Sequence, residues 1–162
     1  MTLVLHRIDD RLIHGQVVLG WGPPLGVEFI VLVDDAVATS DWERELYEMA
    51  VPPDMEVYFH PVEGSAAALA QYRADERPGI LLTGSVESMR RLVEGNGIPA
   101  VNVGGIHHRA DRTPRLRYVF LSPAEEQALR EIAARGVEVT AQDVPSAHPV
   151  PLETLLTSRH EL

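Results

Sequence analysis

The amino-acid sequence predicts an α/β protein built on an open, mainly parallel, doubly wound sheet with helices on both faces. Short runs rich in Val, Ile and Leu recur along the chain, and such runs are typical of strands that are buried on both faces of a parallel sheet. Longer segments with helical spacing separate these runs, so the chain alternates β and α units. Because the 162 residues contain no repeat and no long linker, we expect a single domain over residues 1–162.

The predicted elements have recognisable limits. Strands are predicted at residues 3–8, 28–33, 56–59, 79–82, 100–103, 117–121 and 137–141. Helices are predicted at residues 15–21, 40–50, 64–73, 86–94 and 123–134, with capping residues at Ser40 and Ser122. Pro23 and Pro24 are predicted to end the first helix, since proline lacks the N–H donor and clashes with the preceding turn. The tail, residues 145–162, is expected to be irregular before a last short helix.

The composition excludes several kinds of function. The chain has no cysteine, which excludes a disulfide framework, a cysteine nucleophile, a thiolate zinc site and an iron–sulfur cluster. The adjacent His107 and His108 do not share a face and have no carboxylate at ligand spacing, so no metal site is expected. A formal net charge of -10 argues against broad nucleic-acid binding, which needs a basic face.

The same composition bears on where the protein acts. The first residues become charged too early for a signal peptide. No apolar run approaches the length of a membrane span, about 20 residues. We therefore expect a cytoplasmic protein.

The densest group of chemically active side chains follows the first predicted strand. This segment contains Asp9, Asp10, Arg11, Leu12, Ile13, His14, Gly15 and Gln16. In open parallel sheets, ligands bind beyond the carboxyl ends of the strands. A neutral imidazole at a helix start can attack phosphorus, so His14 is a candidate for phosphorylation. Arg11 would hold the phosphoryl oxygens, and Asp9 would hold Arg11 or one ring nitrogen. The alternative is a solvated loop with a local ion pair.

Other backbone and hydroxyl groups are expected at the same edge of the sheet. Gly15 would let the backbone come close to a phosphate, and the first N–H groups of the helix, from Gln16 onward, would stabilise its charge. Thr83 and Ser85 follow the fourth strand and could add donors, although Ser85 is also a candidate helix cap. The two glycines at residues 104–105 follow the fifth strand and permit a positive φ or a close approach to a neighbour; the alternative is a plain tight turn.

The segment of residues 7–17, RIDDRLIHGQV, closely resembles the signature of the enzyme IIB component of the mannose/fructose/sorbose family of the phosphoenolpyruvate-dependent sugar phosphotransferase system (PTS). The similarity continues, in the same order, through residues 30–38, 49–53, 102–105 and 138–145. It therefore extends over nearly the whole chain.

The resemblance implies a phosphohistidine carrier of doubly wound α/β fold. It makes His14 the phosphorylated residue, with Nδ1 as the attacking nitrogen, and Arg11 its phosphate-binding partner. The donor would be a IIA protein, expected here as a separate chain, and the acceptor a sugar held by membrane IIC and IID subunits. Through those subunits the protein would associate with the inner face of the membrane. No metal or organic cofactor is implied, and the oligomeric state is left open.

Two other functions fit the same loop. The first is a regulatory phosphoacceptor in an incomplete phosphotransferase system without sugar transport. It is prompted by residues 21–24 and 106–110, which differ from the more basic, lysine-bearing versions typical of the family. The second is a non-catalytic anion-binding module, for which the chain lacks a glycine-rich phosphate loop. Replacing His14 discriminates between these functions. The transport carrier and the regulatory phosphoacceptor would both lose phosphorylation, whereas the binding module would keep its ligand.

Overall fold

The computed structural model describes residues 3–161. Its strands are β1 (Leu3–Ile8), β2 (Phe29–Val33), β3 (Glu56–His60), β4 (Gly79–Thr83), β5 (Ala100–Val103), β6 (Thr113–Leu116), β7 (Val119–Leu121), β8 (Glu138–Ala141) and β9 (Val150–Pro151). Its α-helices are α1 (Gly22–Leu25), α2 (Asp35–Ala38), α3 (Asp41–Ala50), α4 (Ser65–Ala74), α5 (Val86–Val93), α6 (Pro123–Ala134) and α7 (Leu152–Thr157). A π-helical turn, Gln16–Trp21, leads directly into α1.

Seven strands form one sheet in the order β3-β2-β4-β1-β5-β8-β9. Every pairing in it is parallel except that of β8 with β9. The first strand therefore lies inside the sheet, between β4 and β5. The predicted mainly parallel α/β sheet is confirmed.

Apolar side chains cover both faces of this sheet. Along β2 and β4 successive side chains point to opposite faces; Leu32 and Leu82 pack on one side, Val31 and Leu81 on the other. The π-helical turn, α2 and α3 cover the first face, and α4, α5 and α6 cover the second. Because the central strands are buried on both faces, their sequences are continuous apolar runs rather than alternating ones.

The connections after β1 and β5 leave the sheet in opposite directions. The chain passes from β1 across the first face to β2, whereas from β5 it passes over the second face, through α6, to β8. Neighbouring strands that diverge in this way leave a crevice at their carboxyl ends. Two backbone hydrogen bonds join the loops there: Gly104 N–H to Ile8 O, 2.7 Å, and Asp10 N–H to Gly105 O, 2.8 Å.

The prediction that Pro23 and Pro24 end the first helix is wrong. In the π-helical turn, the Gly22 N–H donates to Val17 O, and α1 then starts a new turn. Both prolines lie in that first turn, where an N–H has no helical partner and its absence is tolerated. The helix ends instead at Gly26, whose φ of 63° is left-handed.

The strand predicted at residues 117–121 is present only in part, as β7, and it lies outside the main sheet. It pairs antiparallel with β6, a strand that the sequence did not predict. Only two residues separate β6 from β7, and so short a connection permits an antiparallel hairpin but no parallel crossover. In the tail, the expected short helix is α7, and β9 precedes it. No helix within residues 3–161 is long and apolar enough to span a membrane.

A pair of glycine substitutions tests the packing of the central sheet. A Cβ added at Gly79 would overlap the Phe29 ring, whereas one at Gly20 would meet no atom within 4 Å. We expect Gly79→Ala to lower the free energy of unfolding by about 1–3 kcal/mol, because overpacking forces its neighbours to shift. Gly20→Ala serves as the control for the general effect of removing a glycine. Equal urea-denaturation midpoints for the two variants would contradict this packing.

Candidate active site

The loop after β1 is held in a tight turn with an unusual backbone. The Leu12 N–H donates to Asp9 O over 3.0 Å, closing the turn. Leu12 itself has a φ of 60°, the left-handed region that a side chain disfavours, and its side chain packs over Gly84. Such strain costs on the order of 1–3 kcal/mol and is typical of functional sites. Here it turns the chain sharply enough for residues 9, 11 and 14 to meet.

The His14 ring lies between the backbone of the helical segment and a buried carboxylate. The Gln16 N–H donates to Nδ1 over 3.3 Å. On the other side of the ring, Nε2 is 3.2 Å from Asp9 Oδ2, within ion-pair distance. A nitrogen that accepts from an N–H carries the lone pair, so the ring proton belongs on Nε2. The side chain is 18% exposed, enough for a reagent to reach it.

Arg11 is held by two acceptors and remains open to solvent. Its Nε and Nη2 donate to the two oxygens of Asp9 over 3.1 and 3.2 Å, and Nη2 also donates to Gln16 Oε1 over 2.7 Å. Within residues 3–161 the Nη1 donors make no hydrogen bond. With the side chain 44% exposed, these donors are available to an anion.

Beneath this group lies an arginine that the sequence analysis gave no role. Arg7 is fully buried in β1. It donates to Asp9 Oδ2 over 3.2 Å, to Gln142 O over 2.8 Å and to Asp143 O over 3.1 Å, and it also bonds the Asn102 side-chain oxygen. A buried cation needs such partners, because burial without them is strongly unfavourable.

Two guanidinium groups and the His14 ring therefore surround Asp9. Burial by itself raises its pKa, but contact with His14 and Arg11 and the charge of Arg7 more than offset this, and the pKa lies well below its ordinary value. Burial lowers the pKa of Arg7, and the charge of Asp9 opposes that shift. At neutral pH the carboxylate is ionised, as a fixed anion facing the His14 ring.

The two glycines after β5 make room for these guanidinium groups. A Cβ at Gly104 would overlap the Arg7 guanidinium, and one at Gly105 would lie 2.9 Å from Arg11 Nη2. Neither glycine has a positive φ. The expectation of a close approach, rather than a plain tight turn, is confirmed.

The remaining predicted phosphate ligands lie in different surroundings. Beside Gly15 the space is open, with no atom within 4 Å of an added Cβ. Thr83 O accepts the Asp9 N–H over 2.9 Å, while its hydroxyl is buried and unbonded within the described residues. Ser85 accepts the Ser88 N–H over 3.1 Å and caps α5, as its alternative interpretation predicted. Phosphate binding by Thr83 and Ser85 stays a prediction.

A second set of charged groups ties the loop to the start of α6. Asp10 Oδ2 accepts the His107 N–H over 2.8 Å and also contacts the ring Nδ1 of that residue. Arg112 lies 4.0 Å from the same carboxylate and makes two hydrogen bonds to Glu125 in α6, over 2.8 and 2.9 Å. In the described part of the chain, no three His, Asp or Glu side chains are placed to hold a metal ion.

A cavity of about 460 Å³ opens beside Arg11. Its walls include Arg117 together with the rings of His108, Tyr118 and Phe120. Arg117, Tyr118 and Phe120 belong to the β6–β7 hairpin, which the sequence did not predict. The cavity was therefore not predictable from the sequence. It leaves an open approach next to the loop that carries His14, lined by the cations Arg11 and Arg117 and by rings, with Asp10 as the one carboxylate among the described residues of its wall.

The residues that the sequence analysis missed share a recognisable signal. Arg7 is a cation within an apolar strand sequence, LVLHRI, where charge is rare without a partner. Trp21 covers its guanidinium, with 5.1 Å from the ring centroid to Cζ, and donates to Asp143 O over 3.3 Å. The segments containing Asn102 and Gln142 carried the family resemblance, but their contact with Arg7 depends on the fold.

Comparison with known proteins decides the family. The sequence profile described as "PTS system sorbose subfamily IIB component" matches residues 3–162. The chain belongs to this family. It is thus a IIB component of a sugar phosphotransferase system, and the resemblance predicted from residues 7–17 is confirmed.

Individual relatives agree with this assignment of the IIB component. The sorbose-specific EIIB component of Klebsiella pneumoniae is 33% identical over 148 residues, which cover 90% of this chain and 90% of that protein. The mannose-specific EIIAB component of Escherichia coli (strain K12) is 34% identical over 149 residues, 89% of this chain and 45% of that protein. The crystal structure of the IIBSor domain of the sorbose permease from Klebsiella pneumoniae has a TM-score of 0.86 at 29% identity, over 96% of this chain and 97% of that one.

Replacing the buried carboxylate tests the electrostatic arrangement of the IIB site. Asp9→Asn leaves Arg7 buried without its anion, and removing one partner of a buried ion pair costs about 3–5 kcal/mol. We therefore expect the free energy of unfolding at neutral pH, measured by urea denaturation, to fall by an amount in this range. An unchanged value would show that the neighbouring carbonyls suffice for Arg7.

The same pair predicts how stability depends on pH. The pKa of Asp9 is lower in the folded than in the unfolded protein. The ionised Asp9 carboxylate therefore makes its full contribution to the free energy of unfolding above the unfolded pKa, about 4. That contribution is lost as the pH falls towards the folded pKa. Between about pH 5 and pH 2, the free energy of unfolding should fall more steeply for the wild type than for Asp9→Asn. Parallel curves of unfolding free energy against pH for the two proteins would contradict a lowered pKa of Asp9 in the folded state.

The glycines after β5 offer a matched pair of variants. Gly104→Ala sets a methyl group against the buried Arg7, which cannot move without breaking its ion pair, so we expect a loss of about 1–3 kcal/mol. Gly105→Ala meets only the end of Arg11, which can swing into solvent, and should leave the free energy of unfolding nearly unchanged. The opposite ranking in thermal or urea denaturation would show that Arg7 is not the rigid member.

Proposed function

We propose that this IIB component is a phosphohistidine carrier. Nδ1 of His14 accepts a phosphoryl group from a IIA protein and passes it to a sugar bound by membrane IIC and IID subunits during uptake. The observation that carries this proposal is the pairing of the ring: Nδ1 faces the Gln16 N–H and Nε2 faces the buried carboxylate of Asp9. That arrangement leaves the lone pair on the nitrogen that faces away from Asp9.

The fixed anion prepares the ring for attack. With its proton on Nε2, the imidazole presents Nδ1 as the nucleophile, and its ring gains positive charge as the Nδ1–P bond forms. Asp9, held ionised by Arg7 and Arg11, stabilises that charge without itself taking the proton. In the transfer, the phosphorus bond to the donor nitrogen breaks and its electron pair stays with the donor.

Donors for the phosphoryl oxygens lie beside the nucleophile. The Nη1 donors of Arg11 are unengaged within residues 3–161, and the guanidinium is held in place by Asp9 and Gln16. The Gln16 N–H makes only a long bond to Nδ1 and is able to turn to an oxygen once that lone pair is used. The open space beside Gly15 admits the group. Donors fixed before reaction favour transfer, since no reorganisation is needed.

The second transfer reverses these steps. A sugar hydroxyl oxygen forms a bond to phosphorus and its proton passes to solvent, while the N–P bond breaks and returns its electron pair to Nδ1. His14 is then ready for another cycle. Arg11 and Asp9 serve both directions, because neither makes a covalent bond to the phosphoryl group.

The names of the relatives support the proposed partners. The E. coli relative is an EIIAB component, and the Klebsiella domain belongs to a permease. We take residues 1–162 as one IIB unit that meets a IIA donor and the IIC and IID subunits at the inner membrane face. The IIA protein would approach over the cation-lined cavity beside Arg11, where its own negative charges are favoured.

Intact-mass analysis tests the carrier chemistry. The protein is incubated with phosphoenolpyruvate, enzyme I, HPr and a IIA protein, and the added mass is followed in time. We expect one acid-labile phosphate on the wild type, none on His14→Ala, and acceptance slowed by about 100-fold in Arg11→Ala, since one preorganised donor is lost.

The neighbouring histidine provides the matched control. His107 is exposed and close to the same loop, so His107→Ala should still accept one phosphate. Nitrogen NMR of the phosphorylated protein should place phosphorus on Nδ1. Phosphate on His14→Ala, or its absence from the wild type beside a phosphorylated IIA protein, would overturn the proposal.

A further inference from the structure

Helix α3 carries an apolar stripe on its solvent side. Trp42, Leu46 and Met49, which we call the α3 stripe, are 68%, 53% and 82% exposed. Spacings of four and three residues place them on one face of the helix. Tyr47, on the opposite face, packs against the core. Surface helices normally turn their apolar side inward, so an outward stripe indicates a contact with another molecule.

The exposed apolar surface is concentrated on one side of the protein. Within residues 3–161, five large apolar side chains are exposed, and four of them are Leu19 and the α3 stripe. Leu19 lies on the π-helical turn, on the same sheet face as α3. A cavity of about 260 Å³ joins Leu19 to Pro52 and Met55, just beyond the end of α3. Scattered single residues need no explanation, but a group on one layer does.

The stripe begins at the same edge of the sheet as His14. The chain leaves the carboxyl end of β2 and, through α2, reaches the start of α3 at residue 41. Only β4 lies between β2 and β1, so the ends of those two strands are about 10 Å apart. A molecule bound to the α3 stripe is therefore close enough to meet a phosphoryl group on His14.

The charge around the stripe selects the partner. Helix α3 contains four acidic residues, Asp41, Glu43, Glu45 and Glu48. Its one arginine, Arg44, is paired with Asp41. Such a surface is repelled by anionic lipid, yet it fits a partner that is apolar and basic. Cytoplasmic loops of membrane proteins have this excess of Lys and Arg.

We propose that the α3 stripe and its acidic flank dock the basic cytoplasmic loops of the membrane IIC and IID subunits. The inference rests on the proposed function and adds to it the surface that directs His14 towards the sugar. The acceptor thus meets an acidic, apolar helix, whereas the IIA donor meets the cation-lined cavity. Separate surfaces let the two steps be tested separately.

Two variants alter the docking surface without touching the site. Trp42→Ser with Met49→Ser removes the two most exposed side chains of the α3 stripe, and Glu45→Lys with Glu48→Lys reverses the flanking charge. Glu131→Lys, at an exposed position of α6 over the other sheet face, is the control for a charge reversal away from α3. All three proteins should accept phosphate from IIA at the wild-type rate, which also shows that they fold.

Transfer to sugar is then measured with membrane vesicles that contain IIC and IID subunits. For both α3 variants we expect the concentration of phosphorylated protein that gives half-maximal sugar phosphorylation to rise about tenfold or more, with little change in the maximal rate. The control should match the wild type. Unphosphorylated wild type should also sediment with these vesicles, but not with vesicles that lack the two subunits.

Four results would overturn this docking site. The first is unchanged transfer by both α3 variants. The second is loss of their phosphorylation by IIA, which would make the stripe the donor's surface. The third is a dimer of the wild type in light scattering, together with a monomer for the Trp42→Ser, Met49→Ser variant, which would make a second copy of this chain the occupant of the stripe. The fourth is equal sedimentation with vesicles lacking IIC and IID. Sedimentation needs no phosphate, so failure of the carrier chemistry itself is seen separately.

Discussion

The buried ion pair between Arg7 and Asp9 is the interaction on which the rest of the site depends. Arg7 lies in β1, an inner strand of the sheet, with no exposed surface. A guanidinium there is tolerated only because a carboxylate and backbone carbonyls surround it. The pair fixes Asp9, which in turn orients Arg11 through both carboxylate oxygens and faces Nε2 of His14. Removing the buried cation would leave Asp9 with the partly exposed Arg11 as its one charged partner within residues 3–161, and the carboxylate that holds Arg11 and His14 would no longer be fixed.

The parallel sheet supplies the space in which this pair can act. Because the connections after β1 and β5 diverge, a crevice opens between those strands, and the glycines at 104 and 105 keep side chains out of it. The guanidinium groups of Arg7 and Arg11 occupy the room so gained. The strained Leu12 completes the arrangement by reversing the chain within four residues of the strand end.

Charge is distributed unevenly over this acidic protein. The cavity beside Arg11 is lined by cations and rings, whereas α3 bears four carboxylates around an outward apolar stripe. In the proposed carrier cycle, a donor and an acceptor meet the protein in turn, and each approaches His14. Surfaces of opposite charge on either side of that histidine favour different partners, because like charges at an interface are strongly disfavoured. The net charge of -10 hides this division.

The sequence by itself determined the α/β class, most strands of the sheet, the IIB family, and the proximity of Asp9, Arg11 and His14. These follow from local signals: continuous apolar runs, helix caps, and a short segment with its functional groups only a few residues apart. Only the tertiary structure decided that Arg7 lies beneath the site, that the glycines after β5 accommodate two guanidinium groups, and that β6 and β7 form a separate hairpin beside a cavity. Arg7 is 95 residues from Asn102 along the chain. No pattern in a single sequence specifies such a contact, because it arises from how the strands are ordered in the sheet.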